Sequence, residues 1–194
     1  IENEYIMSAQ DLCTIDFLDE VINAGVTVMK IEGRGKGPEY VKATTECYKE
    51  AIESYYDGTY SPEKVEEWMF RLKEVYNRGF WSGYYLGQKL GEWNDTGGSK
   101  ATTRKIYIGK GQHYYDKIQV AEFKIEAYTL SVGDRILVTG PTTGAIETVV
   151  EELHTDDGPS FEAKKGQNVS FKLETPIRPS DKLYKIVPAP VPAH

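Results

Sequence analysis

The run Val26-Thr27-Val28-Met29-Lys30-Ile31, the loop Gly33-Arg34-Gly35-Lys36-Gly37 and the Pro38 behind it decide how the first half of the chain reads. A β-branched run flanked by glycines predicts a short strand. The glycine loop predicts a turn, and proline suits the first turn of a helix, where its missing N–H is not needed. Upstream, Leu12, Ile15, Leu18, Val21 and Ile22 recur at helical spacing between Ser8 and Ala24, with Gly25 as the stop. One helix is expected there, with a break allowed near Cys13. Downstream, Tyr40, Val41, Thr44, Tyr48, Ala51, Ile52 and Tyr55 share one side of a helix from about 38 to 56, ended by Asp57-Gly58. Helix, strand, glycine loop, helix is the alternation of a parallel α/β fold.

Ser61-Pro62-Glu63 combines an N-cap, a first-turn proline and a first-turn acid, and Val65, Trp68, Met69 and Leu72 supply the apolar stripe of a third helix. Residues 77–103 set Phe80, Trp81, Tyr84, Tyr85 and Trp93 among six glycines, the pattern of a connector that packs through its aromatics. From Arg104 the periodicity changes to two. Alternating segments at 104–110, 117–126, 135–139, 146–153, 168–174 and 183–187, separated by turn signals, predict a small six-stranded antiparallel barrel with a bulge at Val120-Ala121. Residues 188–194 read as a frayed tail.

With 194 residues the chain has enough apolar side chains for a real core, and no apolar run is long enough to span a membrane. The net charge of -7 lies wholly in residues 1–103, so the neutral second half can still present a local basic stripe. Two cysteines and no secretion signal point to a reducing, cytoplasmic setting with free thiols. An initial Ile suggests part of a longer polypeptide.

Tyr5-Ile6-Met7-Ser8-Ala9-Gln10-Asp11-Leu12-Cys13, then Ala24-Gly25-Val26, Lys30-Ile31-Glu32-Gly33-Arg34-Gly35-Lys36 and Tyr40-Val41, resembles the signature of the collagenase-like peptidase family U32. Gln10 and Gly35 depart from the usual Lys and Met. Leu130-Ser131-Val132-Gly133-Asp134, Gly140-Pro141-Thr142-Thr143-Gly144 and Ala163-Lys164-Lys165-Gly166-Gln167 look like the second domain of translational GTPases. The resemblance implies an α+β, multi-part chain. Residues 1–60 would end a (β/α) barrel of the TIM type, whose missing N-terminal part is the first expected partner. Residues 61–103 would connect it to the β-barrel at 104–187. Two activities compete, an old protease (hydrolase) label and hydroxylation of pyrimidine bases in tRNA or rRNA or of quinone precursors, and a non-catalytic RNA- or protein-binding module is the alternative to both. Hydroxylation-linked members are expected to carry a four-cysteine iron-sulfur (4Fe-4S) cluster; Cys13 falls on the last cysteine of that pattern, and the other three would lie upstream. This segment alone is expected to hold no cluster and to be inactive.

Lys30, Glu32 and Arg34 stand two residues apart at the C-terminal end of the predicted strand, hence on one side. That end of a (β/α) barrel carries its chemistry, so the three are catalytic candidates; an ion network that merely holds the barrel mouth is the alternative. Arg34 is the anion-binding candidate, because its planar fork can hold a carboxylate or phosphate through two hydrogen bonds. The glycine loop lacks the Gly-Lys-Ser/Thr ending of a Walker loop, and Pro38 removes a donor, so an ordinary turn stays open. Cys47 reads as a buried small hydrophobe. Neither a His-Glu-x-x-His pair nor a Gly-x-Ser-x-Gly elbow occurs, and Asp95-Thr96-Gly97 follows a polar stretch, so local evidence for a peptidase is weak. Arg104, Lys105, Lys110, His113 and Lys117 interleave with Tyr107, Tyr114 and Tyr115, a pattern in which cations track phosphates and rings stack bases. Arg104, Lys105, Lys110, Tyr114 and Tyr115 are the substrate-binding candidates; a solvated hairpin is the alternative.

Overall fold

A computed structural model describes residues 9–87 and 98–190. Tyr5 to Ser8 of the signature, Trp93, Asp95-Thr96-Gly97 and the last four residues of the tail lie outside them. The chain divides into two units, residues 1–102 and 103–194. Among the described residues no helix is long and apolar enough to cross a membrane.

In the first unit, α2 (Pro38–Tyr56) and α3 (Pro62–Glu74) form where their caps predict. The Ser61 hydroxyl accepts the Lys64 N–H at 3.5 Å, and α2 stops where Gly58 takes a φ of 68° that side chains other than glycine resist. Cys47 and Ala51 of α2 meet Trp68 and Leu72 of α3 in a core shared with Cys13, Ile15 and Leu18. The predicted 8–24 helix is replaced by three pieces: β1 (Asp11–Leu12), a 3-10 turn (Ile15–Phe17) and the six-residue α1 (Leu18–Asn23). The reason is competition for donors. The Asp11 and Cys13 N–H groups donate to Gly79 and Trp81 carbonyls at 2.8 and 2.9 Å, so β1 pairs in parallel with β2 (Phe80–Trp81).

The expected strand at 26–31 does not form. Among the described residues none pairs with this run, and Val28 is 83% exposed. A strand exists only as part of a ladder, because its N–H and C=O groups need partners, and β-propensity without a neighbour leaves coil. In the connector, Phe80 packs on the core while Tyr84 and Tyr85 are exposed. The Lys100 and Thr102 N–H groups donate to Asn77 and Lys73 carbonyls, tying its far end back to the end of α3.

Among its described residues the second unit has ten strands where six were expected. They are β3 (Thr103–Tyr115), β4 (Val120–Ile125), β5 (Thr129–Ser131), β6 (Arg135–Gly140), β7 (Gly144–Val149), β8 (Leu153–Thr155), β9 (Gly158–Ser160), β10 (Glu162–Lys164), β11 (Asn168–Lys172) and β12 (Lys182–Pro188). Three-residue strands show too few alternations to be read as a period, and the predicted 146–153 strand breaks at Val150 into β7 and β8. Eight strands form one antiparallel sheet in the order β7-β6-β12-β3-β4-β11-β8-β9, and β5 pairs with β10 as a ribbon. Ile108, Phe123, Leu130, Ile136, Val138, Ala163, Phe171 and Leu183, drawn from sheet and ribbon alike, are fully or almost fully buried in one core. The bulge predicted at Val120-Ala121 is absent, since both residues pair in register with β3 and β11. Irregularities fall instead at Gly111–His113 and Leu183–Tyr184. At Gly111 the chain passes so close to the Arg178 carbonyl that a Cβ would stand 2.7 Å from it.

Candidate functional site

The first candidate site lies around the glycine loop, but on a residue that alternation does not single out. Lys30, Glu32 and Arg34 are all exposed, and the Glu32 carboxylate bends back to accept the Arg34 backbone N–H at 2.7 Å. Without a strand, two-residue spacing no longer sets the three on one side. Lys36 turns inward instead. Its Nζ stands 3.8 Å from Asp11 Oδ1, with both side chains 16% exposed, and 4.1 and 4.9 Å from the ring centroids of Tyr76 and Tyr40. Asp11 also accepts the Arg78 N–H at 2.8 Å and the Arg78 guanidinium at 3.4 Å.

Two cations thus share one carboxylate, and among the described residues the buried Arg78 Nε has no hydrogen-bond partner. A guanidinium donor buried without an acceptor costs free energy until something supplies one. Burial lowers the Lys36 ammonium below the usual lysine range; Asp11 opposes that shift and Arg78 adds to it. Burial, and then the Asp11 charge, raises the Tyr40 phenol. The arrangement can accept an anionic group and hand it a proton. Asp11 and Arg78 come from segments 67 residues apart, so no local pattern announces their contact; the sequence signal for Asp11 and Lys36 is their place in the family-like signature.

Cys13 lies in the core, with Met69 Sδ 3.9 Å from its sulfur and the Tyr48 hydroxyl at 3.7 Å. Burial raises its thiol above the usual value, the opposite of what an activated nucleophile requires. Cys47 is likewise buried and pushed up to about 11, and both cysteines are free. Among the described residues no three His, Cys, Asp or Glu side chains gather as a metal site. This set alone does not fit a four-thiolate cluster, and no chemical step is routed through one.

In the second unit, β3 and β12 bring a different set together. Tyr184 and Tyr107 are register partners whose rings meet edge to face at 5.8 Å. Lys105 Nζ sits 5.1 Å from the Tyr184 ring, and Lys110 and the Tyr107 hydroxyl both reach Glu126, at 2.9 and 2.5 Å. Burial and the Glu126 hydrogen bond push the Tyr107 phenol up to about 12. Arg104 is exposed at the start of the same strand, and Lys117 beyond its end. Tyr114 leaves the candidate set, because its ring packs on the core and its hydroxyl donates to the Leu173 and Glu174 carbonyls at 2.7 and 3.2 Å. Tyr115 is exposed, donates to Glu122 and meets His113 edge to face at 4.5 Å. Tyr184 and Glu126 went unread because they enter through ladder register and a long side-chain contact.

Comparison with known proteins gives these parts a context. Residues 1–95 match the sequence model of Peptidase family U32. A collagenase of Porphyromonas gingivalis is 54% identical over 95% of this chain and 45% of its own length. A tRNA hydroxylation protein of Bacillus subtilis is 26% identical over 93% of this chain and 43% of its own. Thus the chain spans about half the length of the curated relatives it matches. Among solved structures, a Geobacillus thermoleovorans domain described as the C-terminal domain of a U32 peptidase is similar at 23% identity and a TM-score of 0.39, over 41% of this chain and 90% of that one. The signature residues from Asp11 to Lys36, which build the Asp11–Lys36 contact, lie inside the matched region, and the chain belongs to peptidase family U32.

Proposed function

We propose that this chain is the part of a U32 protein that holds RNA for hydroxylation of a pyrimidine base. The observation that carries the reading is the β3–β12 face, where Lys105, Lys110, Tyr107 and Tyr184 set cations beside aromatic rings on a sheet, the arrangement that tracks phosphates and stacks bases. Relatives named for tRNA hydroxylation support it. In this reading residues 1–60 complete a (β/α) barrel with chain from elsewhere in the protein. The Lys36–Asp11–Arg78 cluster serves an anionic group of substrate or co-substrate there. The sheet of the second unit curls into a barrel, helped by the Val132 N–H bond to the Phe161 carbonyl and the Gly133 N–H bond to the Val150 carbonyl, at 2.9 and 2.8 Å. Cys13 supplies one thiolate to an iron-sulfur cluster completed by cysteines of other segments.

The test is mass spectrometry of tRNA and rRNA nucleosides from a deletion strain complemented with the full-length gene. Loss of a hydroxylated pyrimidine on deletion, restored by wild type but not by Lys36→Met, supports the reading. An unchanged nucleoside profile overturns it. A full-length Cys13→Ala protein with undiminished iron and sulfide removes Cys13 as a ligand.

A peptidase is the second reading, favoured by the collagenase name of the relative at 54% identity. The raised Cys13 thiol and the exposed His113 and His154 do not assemble a nucleophile and base among the described residues. Gelatin cleavage by the purified full-length protein, abolished by an internal substitution, would establish it.

A further inference from the structure

Strand β7 is an edge. It pairs with β6, and among the described residues no strand pairs with its other side. The Val150 N–H and C=O face the β6 side, bonded to Asp134 and Gly133 at 3.0 and 2.8 Å, so alternation turns the N–H and C=O groups of Ala145, Glu147 and Val149 outward. Beside this edge runs a groove of about 650 Å³. One wall is Ile146–Val149 with Glu151 and Glu152; the other is Lys172–Thr175 with Gln119. On the second wall the Leu173 and Glu174 carbonyls are already taken by the Tyr114 hydroxyl. Free backbone pairing capacity therefore belongs to β7. Val149 is half exposed and offers an apolar contact, while Glu151, Glu152 and Glu174 line the groove with Lys172, and Glu147 is held there in an ion pair with Arg135.

We propose that β7 and this groove bind an extended, lysine- or arginine-rich peptide segment of five or six residues by strand addition. Main-chain pairing with Ala145, Glu147 and Val149 would supply affinity, and the carboxylates would supply selectivity for cations. Charge decides among the occupants. A second copy of this chain adding its own β7 would set Glu151 and Glu152 against themselves, and a nucleic acid would bring phosphates to carboxylates. The inference stands apart from the RNA reading, which uses β3 and β12.

The test is fluorescence anisotropy of the full 194-residue chain with a labelled, acetylated octapeptide alternating lysine and valine, with amide hydrogen exchange in parallel. Saturable binding is expected, together with slowed exchange at Ala145, Glu147 and Val149. The same peptide N-methylated on alternate residues should bind roughly tenfold more weakly or worse, because its pairing donors are gone. Joint Glu151→Lys and Glu152→Lys substitution, on exposed side chains, should weaken the lysine peptide to a similar degree. Equal affinity for the N-methylated peptide would reduce the site to diffuse charge attraction and overturn strand addition. Absence of saturable binding at low salt, self-association through β7, or protection of the same amides by a single-stranded RNA oligonucleotide would each overturn the proposal.

Discussion

The two units handle their apolar side chains differently. In residues 103–194, Phe123, Ile108, Leu130, Ile136, Val138 and Leu183 are enclosed by strands of the same unit, and among the described residues Tyr115, Ile118, Tyr128, Val149 and Phe161 are the large apolar side chains left exposed. In residues 1–102 a smaller core around Leu18, Cys47, Trp68 and Leu72 coexists with an outward Leu12, Val28, Tyr56, Phe70 and Tyr85. Buried apolar area is the main favourable term in folding, so the second unit is expected to be the more stable, while among the described residues the first leaves more large apolar side chains uncovered.

The comparison breaks most visibly if the units are separated. Residues 103–190 expressed alone should unfold in one cooperative denaturant transition, and residues 1–102 alone should bind a hydrophobic dye and unfold without a sharp midpoint. A cooperative first unit would refute the contrast. Next in size is Phe123→Ala, which empties the centre of the second core where Phe123 stacks on Phe171 at 5.2 Å. It should cost about 3 to 5 kcal/mol, read as a lower midpoint of the second unit's denaturant transition.

A subtler probe of the same core's rim is Gly140→Ala. A Cβ there would lie 1.8 Å from Asp181 Oδ1, within the knot where the Asp181 carboxylate accepts the Thr143 hydroxyl at 2.5 Å and the Arg178 N–H at 2.8 Å. The expected loss is about 1 to 3 kcal/mol, read as a lower melting temperature of the second unit. Smallest is Glu50→Gln in the first unit. The Arg71 guanidinium 2.6 Å away, with help from Trp68 Nε1, holds the Glu50 carboxyl below its usual value of 4.5. A depressed acid contributes stability above its unfolded pKa, and that contribution is lost as pH falls through the folded value. Because the pair is partly solvated, the substitution should cost under about 1 kcal/mol at neutral pH. The gap between variant and wild type should close below pH 4.5 in acid titrations followed by circular dichroism.

Legibility followed the range of the interactions. Helices α2 and α3 could be read because their signals, Pro38, Ser61-Pro62-Glu63 and Asp57-Gly58, act within about one turn. The long strands of the second unit could be read because alternation matches burial on one face, as in Val120–Ile125. Family membership was legible too, carried by the words around Asp11-Leu12-Cys13 and Lys30 to Lys36.

What tertiary structure alone decided is pairing and convergence. Residues 26–31 have strand propensity and no ladder; Asp11-Leu12 have little propensity and a partner in β2. Tyr114 looks like a base-stacking ring until its hydroxyl is seen on the Leu173 carbonyl, and Lys36 looks like one loop lysine among glycines until Asp11 and Arg78 close on it. A hydrogen bond or ion pair between residues dozens of positions apart leaves no period in the sequence, because the folded chain, and not local backbone preference, sets the distance between them.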